Sequence, residues 1–184
     1  MVNKDKEDVL LQIQHAPAWK ERSSTDLIVI HGSLTKPNDD DGVDYMRSVH
    51  MRQGCVDVGY HYVIRRNGII ELGRPIHAIG NHSKNRNRDS IGICMIGGGD
   101  SKHRPKSPDY TISQMDSLAH LCCTLIRVFP EADICGHNRI DANSLCPVFN
   151  VADWWAAISY ELRGLNKLGR ASTYPLDSIT KKNV

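Results

Sequence analysis

Two nearly continuous apolar runs, Leu27–Ile30 and Ile91–Ile96, constrain the fold more than any other feature of this chain. Each is too short for a buried helix and lacks the polar–apolar alternation of a half-exposed strand. A short unalternating run is the signature of a strand covered on both faces, as in a parallel sheet. Ala132–Cys135 is a third strand of this kind. Tyr60–Arg65 and Ile69–Leu72 flank Asn67-Gly68, the strongest short-range hairpin signal in the sequence.

Helical patterns fall between these strands. Val43–Gln53 carries Val43, Met46, Val49 and His50 on one side, with Gly54 placed to cap its end. A second helix starts at Thr111, where Gln114 three residues on completes a capping box. Ile112, Met115, Leu118, Cys122, Leu125, Ile126 and Phe129 then recur at helical spacing until Pro130. Val151–Leu162 is the last helix, with Trp154 and Trp155 as core anchors. Helices between buried strands predict an α/β fold, a mixed central β-sheet flanked by helices. The expected organisation is an N-terminal extension over 1–24, one domain over 25–163 and a C-terminal tail over 164–184.

The 184 residues suffice for one domain with a real core, and a net charge of +2 does not argue for nucleic acid. No apolar run approaches the ~20 residues of a membrane span. The first residues, Met-Val-Asn-Lys-Asp-Lys-Glu-Asp, lack the apolar stretch of a secretory signal, so a cytoplasmic location is expected. Of the 6 cysteines, Cys94, Cys122, Cys123 and Cys135 sit in apolar strand or helix patterns and read as small buried residues rather than disulfide partners. Cys146 stands apart in a polar loop before Pro147.

Two strand-like runs end in histidine, at His31 and His137, and Cys146 follows the second. In open α/β sheets the carboxyl ends of strands form the binding crevice. Two histidines and a cysteine are ligands that zinc accepts, and three protein ligands leave its fourth position free for water. That donor set favours a hydrolase over a binding module.

Six stretches in order, Ile30-His31-Gly32-Ser33-Leu34-Thr35-Lys36-Pro37, Asp57-Val58-Gly59-Tyr60-His61-Tyr62, Gly80-Asn81-His82, Ser90-Ile91-Gly92-Ile93, Gly136-His137 and Cys146-Pro147, resemble the T7-type phage lysozymes. Those are zinc N-acetylmuramoyl-L-alanine amidases related to the peptidoglycan recognition proteins. The resemblance spans about Thr25 to Trp155. It implies an amidase fold, Zn²⁺ on His31, His137 and Cys146, and a catalytic tyrosine at Tyr60. The implied reaction hydrolyses the amide between N-acetylmuramic acid and L-alanine in peptidoglycan, as an endolysin does. A non-catalytic peptidoglycan-binding protein is the rival reading, and the presence of Cys146 favours the enzyme.

One loop departs from the pattern. The T7-type enzymes carry a catalytic lysine two positions before the cysteine, where this chain has Ser144. The Ser144 hydroxyl resembles the threonine of peptidoglycan recognition amidases, and Arg139 is the alternative source of positive charge. His82 and Asn87 are expected to contact substrate, on a groove rim made basic by Arg74, Lys84, Arg86 and Arg88. His61 is expected to face away from Tyr60 across the strand, and His50 receives no role. T7-type lysozymes also bind and inhibit their phage's RNA polymerase, a partner the N-terminal arm could touch. Nothing in the sequence demands self-association, so a monomer is expected, resident in a host bacterial cytoplasm and acting on the wall after membrane breach.

Overall fold

A computed structural model of the chain describes residues 19–36, 38–39, 41–100, 102, 104 and 109–167, with the side chains of the last helix described through Tyr160. The expectations for residues 1–18 and for the tail beyond 167 lie outside the described residues. In chain order the elements are β1 (Leu27–Gly32), α1 (Val43–Arg52), β2 (Tyr62–Ile64), β3 (Ile70–Leu72), β4 (Ser90–Met95), α2 (Ile112–Val128), β5 (Asp133–Gly136), a 3-10 turn (His137–Arg139) and α3 (Val151–Lys167). None of the described helices is long and apolar enough to cross a membrane.

The strands form one mixed sheet in the order β3-β2-β4-β1-β5. The strongly apolar runs take the centre: β1 pairs in parallel with β4, from Leu27↔Ser90 to Gly32↔Met95, and with β5, from Leu27↔Asp133 to Ile30↔Gly136. β2 runs parallel to β4, and β3 is the antiparallel edge. Alternation along the strands then divides the core. Ile28, Ile30, Ile91, Ile93, Met95 and Ile134 pack with Leu118, Leu121, Cys122 and Leu125 of α2 and Val151 of α3. Trp154 and Trp155 lie partly buried against that cluster, as core anchors should. The opposite face is smaller, with Val63, Cys94 and Ile96 meeting Met46 of α1 and Val58.

Several local details differ from the sequence reading for identifiable reasons. Asn67-Gly68 does not form a two-residue turn. The Arg65 carbonyl accepts from Gly68 N–H, Arg65 N–H donates to the Ile69 carbonyl, and Gly68 adopts φ +86°. This is a three-residue connection closed by a glycine in the left-handed region, a conformation disfavoured for residues with a Cβ. Ile112, expected on the core face of α2, is 83% exposed in the helix's first turn. The segment Trp19–Ser24 is tied to the domain: Ile79 N–H donates to the Lys20 carbonyl, Arg22 N–H to the His77 carbonyl, and Arg74 stacks 4.7 Å over the Trp19 ring. α3 continues to Lys167, beyond the expected Leu162.

The capping box forms as expected, with Thr111 and Gln114 exchanging hydrogen bonds of 3.1 Å in each direction. Gln114 does more. It is fully buried, and its Nε2 donates to the carbonyls of Ile64 and Ile96 at 3.2 and 2.8 Å, binding the start of α2 to the ends of two strands. Gln114→Leu keeps the volume and removes these bonds while stranding the Ile96 carbonyl. We expect a loss of roughly 2–3 kcal/mol in urea unfolding, well beyond the cost of an ordinary surface substitution.

Candidate active site

His31, next to last in β1, lies on the face opposite the large core, beside its register partner Cys94 on β4. β5 lies along the other side of β1, and the chain leaves it through the 3-10 turn that begins at His137. The two imidazoles therefore meet at adjacent strand tips, with ring centroids 4.7 Å apart. The loop after the 3-10 turn brings back Cys146. It is held by donation from Asn138 N–H to the Cys146 carbonyl at 2.8 Å and from Tyr110 O–H to the Pro147 carbonyl at 2.9 Å. One ligand atom from each of His31, His137 and Cys146 lies within 4.8 Å of the other two.

The chemistry of these donors suits a cation. Burial and the neighbouring His137 hold His31 well below the usual histidine range, so it is a neutral imidazole with a free lone pair. His137 is shifted the same way by partial burial. Burial pushes the Cys146 thiol up to about 11, opposed by Gly32 N–H, which donates to its sulfur at 3.0 Å. Without a positive neighbour this sulfur is a neutral thiol; a divalent ion between the three groups would make it a thiolate. His31 and Cys146 are buried while His137 is only half-buried, which leaves one side of the triad toward solvent.

Tyr60 packs over this centre with its ring 5.1 Å from that of His31. Burial, reinforced by the Cys94 and Cys146 thiols, holds its phenol well above the usual range, so it remains a proton donor at any physiological pH. Ser144 is also brought in, its Oγ 3.3 Å from His137 Nδ1 and accepting from Cys146 N–H at 3.2 Å. Arg139 is exposed and lines a cleft with Leu145, Phe149 and Asn150.

The expected substrate contacts are engaged within the protein. His82 Nδ1 lies 3.0 Å from His31 Nε2, and Asn87 Oδ1 accepts from the backbone N–H groups of His82 and Ser83, both at 2.8 Å. His82 and Asn87 are both half-buried, and these bonds fix their place beside the triad. Arg74 is engaged as well: it donates to the carbonyls of Val58 and Ile79 at 2.7 and 2.6 Å, and burial lowers its pKa. Arg86 pairs with Asp89 at 2.8 Å, while Lys84 and Arg88 are exposed. His61 does not face away from Tyr60. Both neighbour His82, with ring centroids at 5.6 and 6.3 Å, because β2 begins only at Tyr62 and strand alternation does not extend back to Tyr60.

The N-acetylmuramoyl-L-alanine amidase family model matches residues 21–149. The chain belongs to this family. An endolysin of Escherichia phage T7 is 42% identical to this amidase over 137 residues, 74% of this chain and 89% of that protein. An endolysin of Klebsiella phage KP32 is 39% identical over the same shares. Among solved structures, the amidase LysC from Clostridium intestinale superposes with a TM-score of 0.66 at 25% identity, covering 80% of this chain and 91% of that one. Drosophila PGRP-LB shares the fold, with a TM-score of 0.59 at 22% identity over 71% of this chain and 79% of its own.

Three residues of this amidase site escaped the sequence reading. His50 Nδ1 accepts from Gly59 N–H at 2.7 Å, and its ring lies 5.2 Å from Tyr60, so α1 props the catalytic candidate. Its place on the inward side of a helical pattern was the available signal. Cys94 packs with Tyr60 and, after burial, helps to raise its phenol pKa. Tyr110 anchors the Cys146 loop from a segment with no periodicity, and nothing local marks it.

Buried His61 gives a pH test. Its Nδ1 accepts from Gly92 N–H at 2.9 Å, its Nε2 donates to the Ala78 carbonyl at 2.9 Å, and desolvation lowers its pKa from 6.5 to about 4. The unfolded chain takes up this proton first, so the stability due to neutral His61 is complete above pH 6.5 and is lost as pH falls toward 4. The loss is roughly 3 kcal/mol. Urea unfolding at pH 7 and pH 4.5 should show a shallower decline for His61→Gln than for the wild type.

Proposed function

We propose that this amidase is a phage endolysin-type zinc enzyme that hydrolyses the amide joining N-acetylmuramic acid to L-alanine in peptidoglycan. The observation that carries the reading is the convergence of His31, His137 and Cys146 at one point, with a half-buried, protonated Tyr60 beside them. Zinc bound by these three groups would supply an activated water and polarise the scissile carbonyl.

The remaining work falls to the protein. Gly32 N–H, aimed at the Cys146 sulfur, stabilises it as a thiolate. The Tyr60 hydroxyl, held in the protonated state by burial, donates to negative charge developing on the carbonyl oxygen and costs no proton uptake to do so. The Ser144 hydroxyl, beside His137 in the half-buried part of the site, offers a second polar contact at the place where the T7-type enzymes carry lysine. In this reading the protein resides in a host bacterial cytoplasm and meets its substrate after the membrane is breached.

The purified full chain should hold about one zinc per molecule by elemental analysis, and His31→Ala or Cys146→Ser should lose it; full occupancy in both variants would remove the metal assignment. Digested peptidoglycan should yield new L-alanine amino termini and no new reducing sugar ends. The opposite product pattern would identify a glycosidase. Tyr60→Phe should retain zinc while turnover drops about 100- to 1,000-fold. An unchanged rate would reduce Tyr60 to packing.

A further inference from the structure

We propose that His82 is a positioning residue for the metal centre, its Nδ1 accepting the Nε2–H of His31 so that the other nitrogen of His31 is turned toward His137 and Cys146. The inference rests on the zinc reading above and assigns a part in it to a residue outside the ligand triad.

The two nitrogens are 3.0 Å apart, and a bond between neutral imidazoles requires one donor and one acceptor. The far end of His82 decides which is which. Its Nε2 lies 3.5 Å from Ser90 Oγ, and the Ser90 hydroxyl already donates to the Arg86 carbonyl. Ser90 Oγ is thereby left as an acceptor toward Nε2, so Nε2 carries the proton and Nδ1 keeps the lone pair. Donation then runs in one direction, from His31 through His82 to Ser90. A ligand imidazole whose second nitrogen donates in this way has a fixed tautomer and a more basic first nitrogen.

The ring of His82 also occupies a built slot. A Cβ at Gly80 would lie 2.4 Å from His82 Cδ2, and one at Gly92 would lie 2.4 Å from His82 Cγ. Gly92 is on β4 itself, so the imidazole rests directly against the strand where any side chain would expel it. The backbone of His82 is pinned from the other side by Asn87. The position of this ring is therefore set by the protein before any substrate arrives.

The test compares two variants of the full chain. His82→Asn keeps an oxygen acceptor near the place of Nδ1, and His82→Leu fills the slot without one. Zinc affinity is read by competition with a chromophoric chelator, with thermal unfolding as the check on folding. We expect the Asn variant to bind within about threefold of the wild type, and the Leu variant to bind about 10- to 100-fold more weakly. Imidazole ¹⁵N spectra of the zinc-loaded wild type should show His31 metal-bound through Nδ1 and protonated at Nε2. A folded Leu variant that holds zinc as tightly as the wild type overturns the inference, as do equal losses in both variants. Spectra showing His31 bound through Nε2 overturn it without recourse to any variant. A wild type that takes up no zinc sinks the metal reading itself, whereas a zinc-loaded wild type with a zinc-tight Leu variant sinks this inference alone.

Discussion

The parallel pairing of β1 between β4 and β5 is the interaction on which the rest depends. β1 is covered on both edges and both faces, so its register is strongly fixed: a slip of one residue would move Ile28 and Ile30 out of the large core and turn His31 into it. The cost of that exchange is several buried isoleucine contacts against one buried imidazole. The same pairing carries β5 alongside and delivers His137 to the neighbouring tip. The geometry of the His31–His137–Cys146 cluster is thus enforced by the hydrophobic core behind it.

Around that frame the site is assembled largely from buried and half-buried polar groups that satisfy one another. His31 meets His82, His82 meets Ser90, His61 joins Gly92 to Ala78, and His50 supports Gly59. Four histidines kept neutral by burial form a scaffold without net charge. Such a lining would leave a divalent ion and its thiolate as the dominant charges of the site, with a neutral tyrosine beside them. Lys84 and Arg88, exposed basic residues of the nearby loop, stand outside this scaffold.

Much of this was legible in the chain. Unalternating apolar runs revealed the central strands because burial on both faces leaves no polar position, and the capping box located the start of α2 to the residue. The ligand types were visible because zinc restricts its donors to a few side chains. What escaped were pairings across long sequence separations. Arg74 carries no local sign of the two backbone carbonyls and the Trp19 ring that engage it. Gln114 was recognised as a cap, yet its reach to Ile64 and Ile96 depends on where β2 and β4 end in space. The His82–His31 contact escaped because a histidine in a polar loop carries no local sign of an imidazole partner 51 residues away.

The sequence alone determined which segments become strands and helices, which strand ends carry histidine, and that a lone loop cysteine completes a zinc-type donor set. Only the tertiary structure decided that these donors meet, which nitrogen of His31 is already engaged, and that Tyr110 and Asn138 hold the Cys146 loop over the strand tips. The division follows from range. Propensity and burial patterns act over a few residues, whereas a coordination site requires angstrom-level agreement between segments more than a hundred residues apart, which register and packing alone provide.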